Sequence, residues 1–145
     1  MKLSLTEAVK PKQFEILIDP QLKDYDEEKI NVIRQYIRFV VKEVGLEGAF
    51  KLVFTTEREK LGLKTTAYYR DQDKMVVVYA KNRMLGDVLR SVTHELVHKR
   101  QYEQGRITHP VQDVGGEIED EANAKAGAII KTFIRKNPLG KFLFD

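Results

Sequence analysis

The segment His94-Glu95-Leu96-Val97-His98 constrains this chain more than any other. It falls within a stretch of helical apolar spacing, from about Leu85 to Gln104, that Gly105 closes. Two histidines four apart in a helix lie on nearly one side, a turn from each other. Both imidazoles can then reach one zinc ion, and the glutamate after the first can act as general base on a water bound there. Leu85, Val88, Leu89, Val92 and Leu96 form the stripe that faces a core. At ~100° per residue His94 and His98 project ~140–180° from that stripe. They read as ligands turned into a cleft or as plain surface histidines, and a third ligand coming to meet them separates the two.

Three residues are candidates for that ligand. The acidic run Glu117-Ile118-Glu119-Asp120-Glu121-Ala122-Asn123-Ala124 opens a last helix, about Glu117 to Lys136, which stops before Asn137-Pro138. Ala122, Asn123, Ala126, Ile130 and Phe133 share a face with Glu119, whereas Glu117 and Glu121 point ~160–200° away. Glu119 is the carboxylate on the inward stripe, flanked by alanines that allow close helix approach. Buried there it needs a partner, because a bare buried carboxylate is costly. The helix dipole alone accounts for its acidic neighbours, and Glu121 is spaced to pair with Lys125. Asn123, one turn on, can steady an imidazole from behind. The other two candidates, His109 and Asp113, lie in the loop before this helix. His109 serves alternatively as a supporting group or as a donor to a transition-state oxyanion.

The rest of the chain reads as helix and strands in alternation. Phe14 to Ile18 is a strand ending at Asp19-Pro20. Asp26-Glu27-Glu28 opens a helix in which Ile30, Ile33, Ile37, Val40, Val41 and Val44 recur, and Gly45 stops it. Lys51 to Thr56, Thr65 to Tyr69 and Met75 to Tyr79 are strands, the last two joined by the turn Arg70-Asp71-Gln72-Asp73-Lys74. This order predicts an α+β domain over 1–145, a small twisted sheet packed on helices, with 137–145 as a tail.

Composition narrows the class. At 145 residues, 42% hydrophobic and 32% charged, the chain has the balance of a soluble domain with a real core. It has no cysteine, so disulfides, thiolate zinc sites and thiol catalysis are excluded. The start, Met1-Lys2-Leu3-Ser4-Leu5-Thr6-Glu7, lacks the apolar core of a signal peptide, and no run is long enough to span a bilayer. A cytoplasmic protein without membrane contact is the expectation. Net charge is +3 with a pI near 9.0, from lysines and arginines scattered among acids. That pattern reads as a mixed solvated surface, with only weak attraction for nucleic acid.

His94-Glu95-x-x-His98 with Glu119-x-x-x-Asn123 downstream resembles the gluzincin metallopeptidases, and most of all their minimal, ImmA/IrrE-like members. The likeness runs from about Thr65 to Lys131 and is specific at the zinc motif. It implies a zincin-like fold in which His94, His98 and Glu119 hold zinc, Glu95 is the base and Asn123 supports a ligand from behind. Asn123 stands where the thermolysin type has aspartate. The resemblance also implies a peptide substrate laid as an extra strand along the sheet edge, for which Met75 to Ala80 is the expected edge. Tyr102, His109 and Arg100 are the candidates for the oxyanion-stabilising side chain. With His109 as third ligand the site would instead resemble SprT-like proteases acting near DNA. A zinc-bearing binding module without turnover is the non-enzymatic alternative, and Glu95 argues against it. The apolar tail Phe142-Leu143-Phe144-Asp145 either packs on the domain or lies along the cleft as an inhibitor, with Asp145 near the zinc.

Overall fold

The computed structural model describes residues 13–61, 65–107 and 116–144. Strand β1 (Phe14–Ile18) leads into helix α1 (Glu27–Val44), which returns the chain to β2 (Phe50–Thr55). Strands β3 (Ala67–Arg70) and β4 (Met75–Tyr79) follow, then α2 (Leu85–Glu103), α3 (Gly116–Lys136) and a closing 3-10 segment, Pro138–Phe144. The α+β expectation holds at this level.

The sheet order is β1-β2-β4-β3. β1, β2 and β4 run parallel, and β3 is antiparallel to β4. Parallel neighbours need a long crossover. α1 supplies it between β1 and β2, and β3 is part of it between β2 and β4. This corrects one expectation. Met75 to Ala80 is not the edge, because β4 is hydrogen-bonded on both sides, and the edge beside α2 is β3.

Register explains which face is buried. Ile16, Leu52, Val76 and Tyr69 form one cross-strand row, and Ile18, Phe54, Val78 and Ala67 the next. Strand side chains alternate between faces, so both rows point toward the helices. They meet Val32, Ile33, Tyr36, Ile37 and Val40 of α1, and Val88, Leu89, Val92 and Leu96 of α2, all fully buried. Each such aliphatic side chain contributes about 1.5–3 kcal/mol through burial. The Tyr36 hydroxyl donates to Thr93 Oγ1, whose own proton goes to the Leu89 carbonyl at 2.6 Å. α1 and α2 are thereby pinned by a polar contact inside an apolar core.

Helix limits follow from local chemistry. Asp26 accepts from the Lys29 N–H at 2.9 Å as the N-cap of α1, and Gly45 ends it at φ 81°. Arg70 bonds Asp73 and Lys74 bonds Asp71 across the expected β3–β4 turn. The tail packs on the domain. Leu143 is fully buried, and Phe142 rests partly covered against the core. Phe144 is exposed, and Asp145 lies outside the described residues. A Cβ on Gly86, in the first turn of α2, would stand 2.8 Å from the Leu143 carbonyl oxygen. The tail therefore docks two turns before His94 rather than over it. Among the described residues no helix is long and apolar enough to cross a membrane.

Candidate metal centre

α2 and α3 lie side by side in antiparallel register, and that register builds the site. Gln101 meets Ile118 and Glu121, His98 meets Glu119, and His94 meets Asn123. Each turn back along α2 matches a turn forward along α3. Ala122 and Ala126, fully buried in the seam, leave room for this approach.

Three donor groups converge. His98 Nε2 stands 2.7 Å from Glu119 Oε1, His94 Nε2 stands 3.1 Å from Glu119 Oε2, and the two Nε2 atoms are 3.1 Å apart. His94, His98 and Glu119 thus form a group close enough to hold a metal ion. Donors about 2.0–2.1 Å from a tetrahedral ion sit roughly 3.3 Å from each other, so the group fits such an ion with a few tenths of an ångström of opening. The donor set, two imidazoles and a carboxylate, suits zinc and other borderline divalent ions. All three side chains are at least four-fifths covered.

The protonation of His98 follows from its neighbours. Gln101 Nε2 donates to the Ile118 carbonyl at 3.1 Å and to Glu121 Oε1 at 3.0 Å. Its Oε1 is therefore the acceptor facing His98 Nδ1 at 2.7 Å. Nδ1–H donates to Gln101, which leaves Nε2 as the ring atom that faces Glu119 and could ligate an ion. Arg106 completes the chain by donating to Glu121 at 2.8 Å. This arginine, then Gln101, hold the Glu121 carboxyl below its ordinary value. Glu121 is thus not simple surface charge. Lys125 does approach it, at 3.7 Å, but Gln101 and Arg106 are nearer.

His94 and Glu95 feel the same crowding. Burial, then the neighbouring His98, push the His94 pKa down, against opposing pulls from Glu119 and the Asn123 side chain. Glu95 Oε2 lies 3.8 Å from His94 Nε2. Burial, then the Glu119 charge, raise the Glu95 carboxyl to about 8, while a hydrogen bond from the Tyr69 backbone N–H opposes the rise. Tyr69 belongs to β3, so the edge strand holds this carboxylate directly. A groove of about 450 Å³ reaches His94 and Glu95 from the N-terminal half of α2, with Asn123 and Ala126 on its α3 wall.

Of the sequence candidates, His94, Glu95, His98, Glu119 and Asn123 come together. Arg100 does not: it pairs with Glu47 and Glu103 on the other side of α2. Tyr102 packs its ring on that of Tyr69, with centroids 5.6 Å apart. His109 and Asp113 lie outside the described residues. Sequence reasoning missed Gln101, although its place three residues after His98 puts it on the same helix face. It also missed Tyr69, whose part is played by a backbone N–H and leaves no side-chain signal. No family model matches this chain, and no curated protein or solved structure matches it.

Proposed function

We propose that this chain is a zinc-dependent peptidase of gluzincin type, with His94, His98 and Glu119 as ligands and Glu95 as general base. One observation carries the reading: three metal-capable donors converge with a buried carboxylate 3.8 Å from one of them. Zinc, when bound, supplies Lewis acidity toward a water and toward a peptide carbonyl. The chain's own groups do the rest. Gln101 fixes His98 in the tautomer that offers Nε2. Asn123 steadies His94. Glu95, held by Tyr69, takes a proton from the attacking water in its ionised form, which the charge of a bound cation would favour against the rise that burial causes, and returns it to the leaving amine. Three protein ligands leave a position open, as hydrolysis requires and a purely structural zinc site does not. The sheet on its helix pair is read as zincin-like, with substrate extended along β3, the strand that also holds Glu95.

Glu119 at 2.7 Å and 3.1 Å from the two imidazoles supports this ligand set over the SprT-like one that uses His109. Metal analysis and a broad peptide-library digest of wild type, E95Q, H94A, H109A and E119A test the proposal. Zinc bound by wild type, E95Q and H109A but not H94A is expected, with cleavage in wild type and H109A and loss of at least about 10²-fold in E95Q. Equal background cleavage by wild type and E95Q overturns the peptidase and leaves a zinc-bearing binding module. Zinc lost from H109A and kept by E119A overturns the ligand set.

A further inference from the structure

We propose that the groove beside this centre selects a carboxylate on the substrate, and that Arg90 reads it. The proposal rests on the peptidase reading for how substrate lies, but its main test needs no turnover.

The antiparallel seam supplies the argument. His98 faces Glu119 and His94 faces Asn123. One turn further along, Arg90 faces Gly127. In the first two layers a side chain from each helix fills the gap, but in the third α3 offers only hydrogen. A Cβ on Gly127 would stand 3.2 Å from Arg90 Nη2. The guanidinium therefore lies in space that a side chain would otherwise take, on the wall of the groove that leads to His94 and Glu95.

Arg90 and Arg83 both line this groove, yet they differ in what occupies them. Arg83 donates to the Tyr79 carbonyl at 2.7 Å, the Asp87 carbonyl at 3.2 Å and Ser91 Oγ at 2.9 Å. Its donors hold the entry to α2 in shape. Arg90 makes no hydrogen bond or ion pair among the described residues, and it is exposed. Asp87 and Glu95 are the acidic residues that line the groove, and neither forms an ion pair with either arginine. A planar guanidinium at a groove wall with no partner among the described residues matches a carboxylate, which it grips through two parallel N–H donors.

Spacing fixes where that carboxylate sits. Four helical residues separate Arg90 from His94, a rise of about 6 Å. An extended peptide advances about 3.3–3.6 Å per residue. The arginine side chain, which leans toward the helix N-terminus, adds its own length to that rise, so the carboxylate falls within a few residues of the bond that is cut. It is either an Asp or Glu side chain or the substrate's own C-terminus.

Zinc-loaded E95Q protein, which retains its ligands, is titrated with fluorescent peptides by anisotropy. The peptides come in matched pairs, Glu against Gln at each position and free acid against amide at the C-terminus. About tenfold tighter binding of the charged member of one pair is expected, and the pair that discriminates names the source. R90Q in the same background removes the discrimination, R90K keeps part of it, and R90E reverses it in favour of Lys peptides. Circular dichroism and zinc content confirm that each variant is folded and loaded. Indifference to every pair, no peptide binding at all, or discrimination that survives R90Q overturns the proposal. Discrimination by protein whose wild-type form cleaves nothing would retire the peptidase and leave the carboxylate site standing. Cleavage blind to charge would do the reverse.

Discussion

His98 Nε2 and Glu119 Oε1 meet at 2.7 Å across the seam between α2 and α3. The pair depends on register, because a shift of one residue turns Glu119 by ~100° out of the seam. Removing either partner therefore acts on metal before it acts on fold. E119A is expected to lose zinc on dialysis against a mild chelator that leaves wild type loaded, while far-UV circular dichroism stays unchanged. Retention of zinc by E119A would remove Glu119 from the centre.

Gln101 acts through His98. Its amide oxygen accepts a hydrogen bond from Nδ1–H, and its amide nitrogen donates to the Ile118 carbonyl and Glu121. Q101A frees the ring to rotate or change tautomer. Supporting groups of this kind are worth about 10–100-fold in metal affinity. Competition against a chromophoric chelator should show a loss of that size in Q101A, and a smaller one in R106A. An unchanged affinity would make Gln101 a packing residue only.

The sequence carried the centre because helix geometry is periodic. His94, His98 and Glu119 follow from spacing on two helices whose inward stripes are plain. Strand order is a different kind of fact. Met75 to Tyr79 reads as a strand, but nothing in its five residues says whether one side or both are paired. Its placement next to β2 comes from the parallel register of Leu52 with Val76 and Phe54 with Val78, which is long-range information. The hold of Tyr69 on Glu95 was hidden for a related reason. Every residue but proline has a backbone N–H, and only the sheet edge decides which one reaches a carboxylate.

The C-terminal segment is a structural clamp. Leu143 is fully buried, and a Cβ on Gly140 would stand 2.5 Å from the Ile134 Cα. L143A is expected to lower stability by about 2–5 kcal/mol in urea unfolding. G140A is expected to destabilise as well, since the obstacle is backbone and cannot swing away. Truncation after Asn137 should lower the melting temperature and leave any peptidase activity of the folded fraction no higher. A rise in specific activity on truncation would restore the inhibitory reading of the tail.

Lys99 and Glu103 give the fold a pH dependence. The Lys99 side chain is 1% exposed, and its ammonium donates to Glu103 Oε2. Glu103 also accepts from the Glu47 and Gly48 N–H groups, both at 3.1 Å, which ties the end of α2 to the loop before β2. Burial works to raise the Glu103 pKa, but the Lys99 and backbone hydrogen bonds outweigh it and hold the carboxyl below its usual 4.5. A carboxyl lowered on folding contributes stability that is present above the unfolded value and lost as pH falls through the folded one. E103Q leaves a buried ammonium without its counter-charge, a loss of about 3 kcal/mol at pH 7. The gap between wild type and E103Q in urea unfolding should therefore be full at pH 6–7 and shrink once pH drops below 4.5. A gap that stays constant down to pH 3 would show that Glu103 stabilises through shape and not through charge.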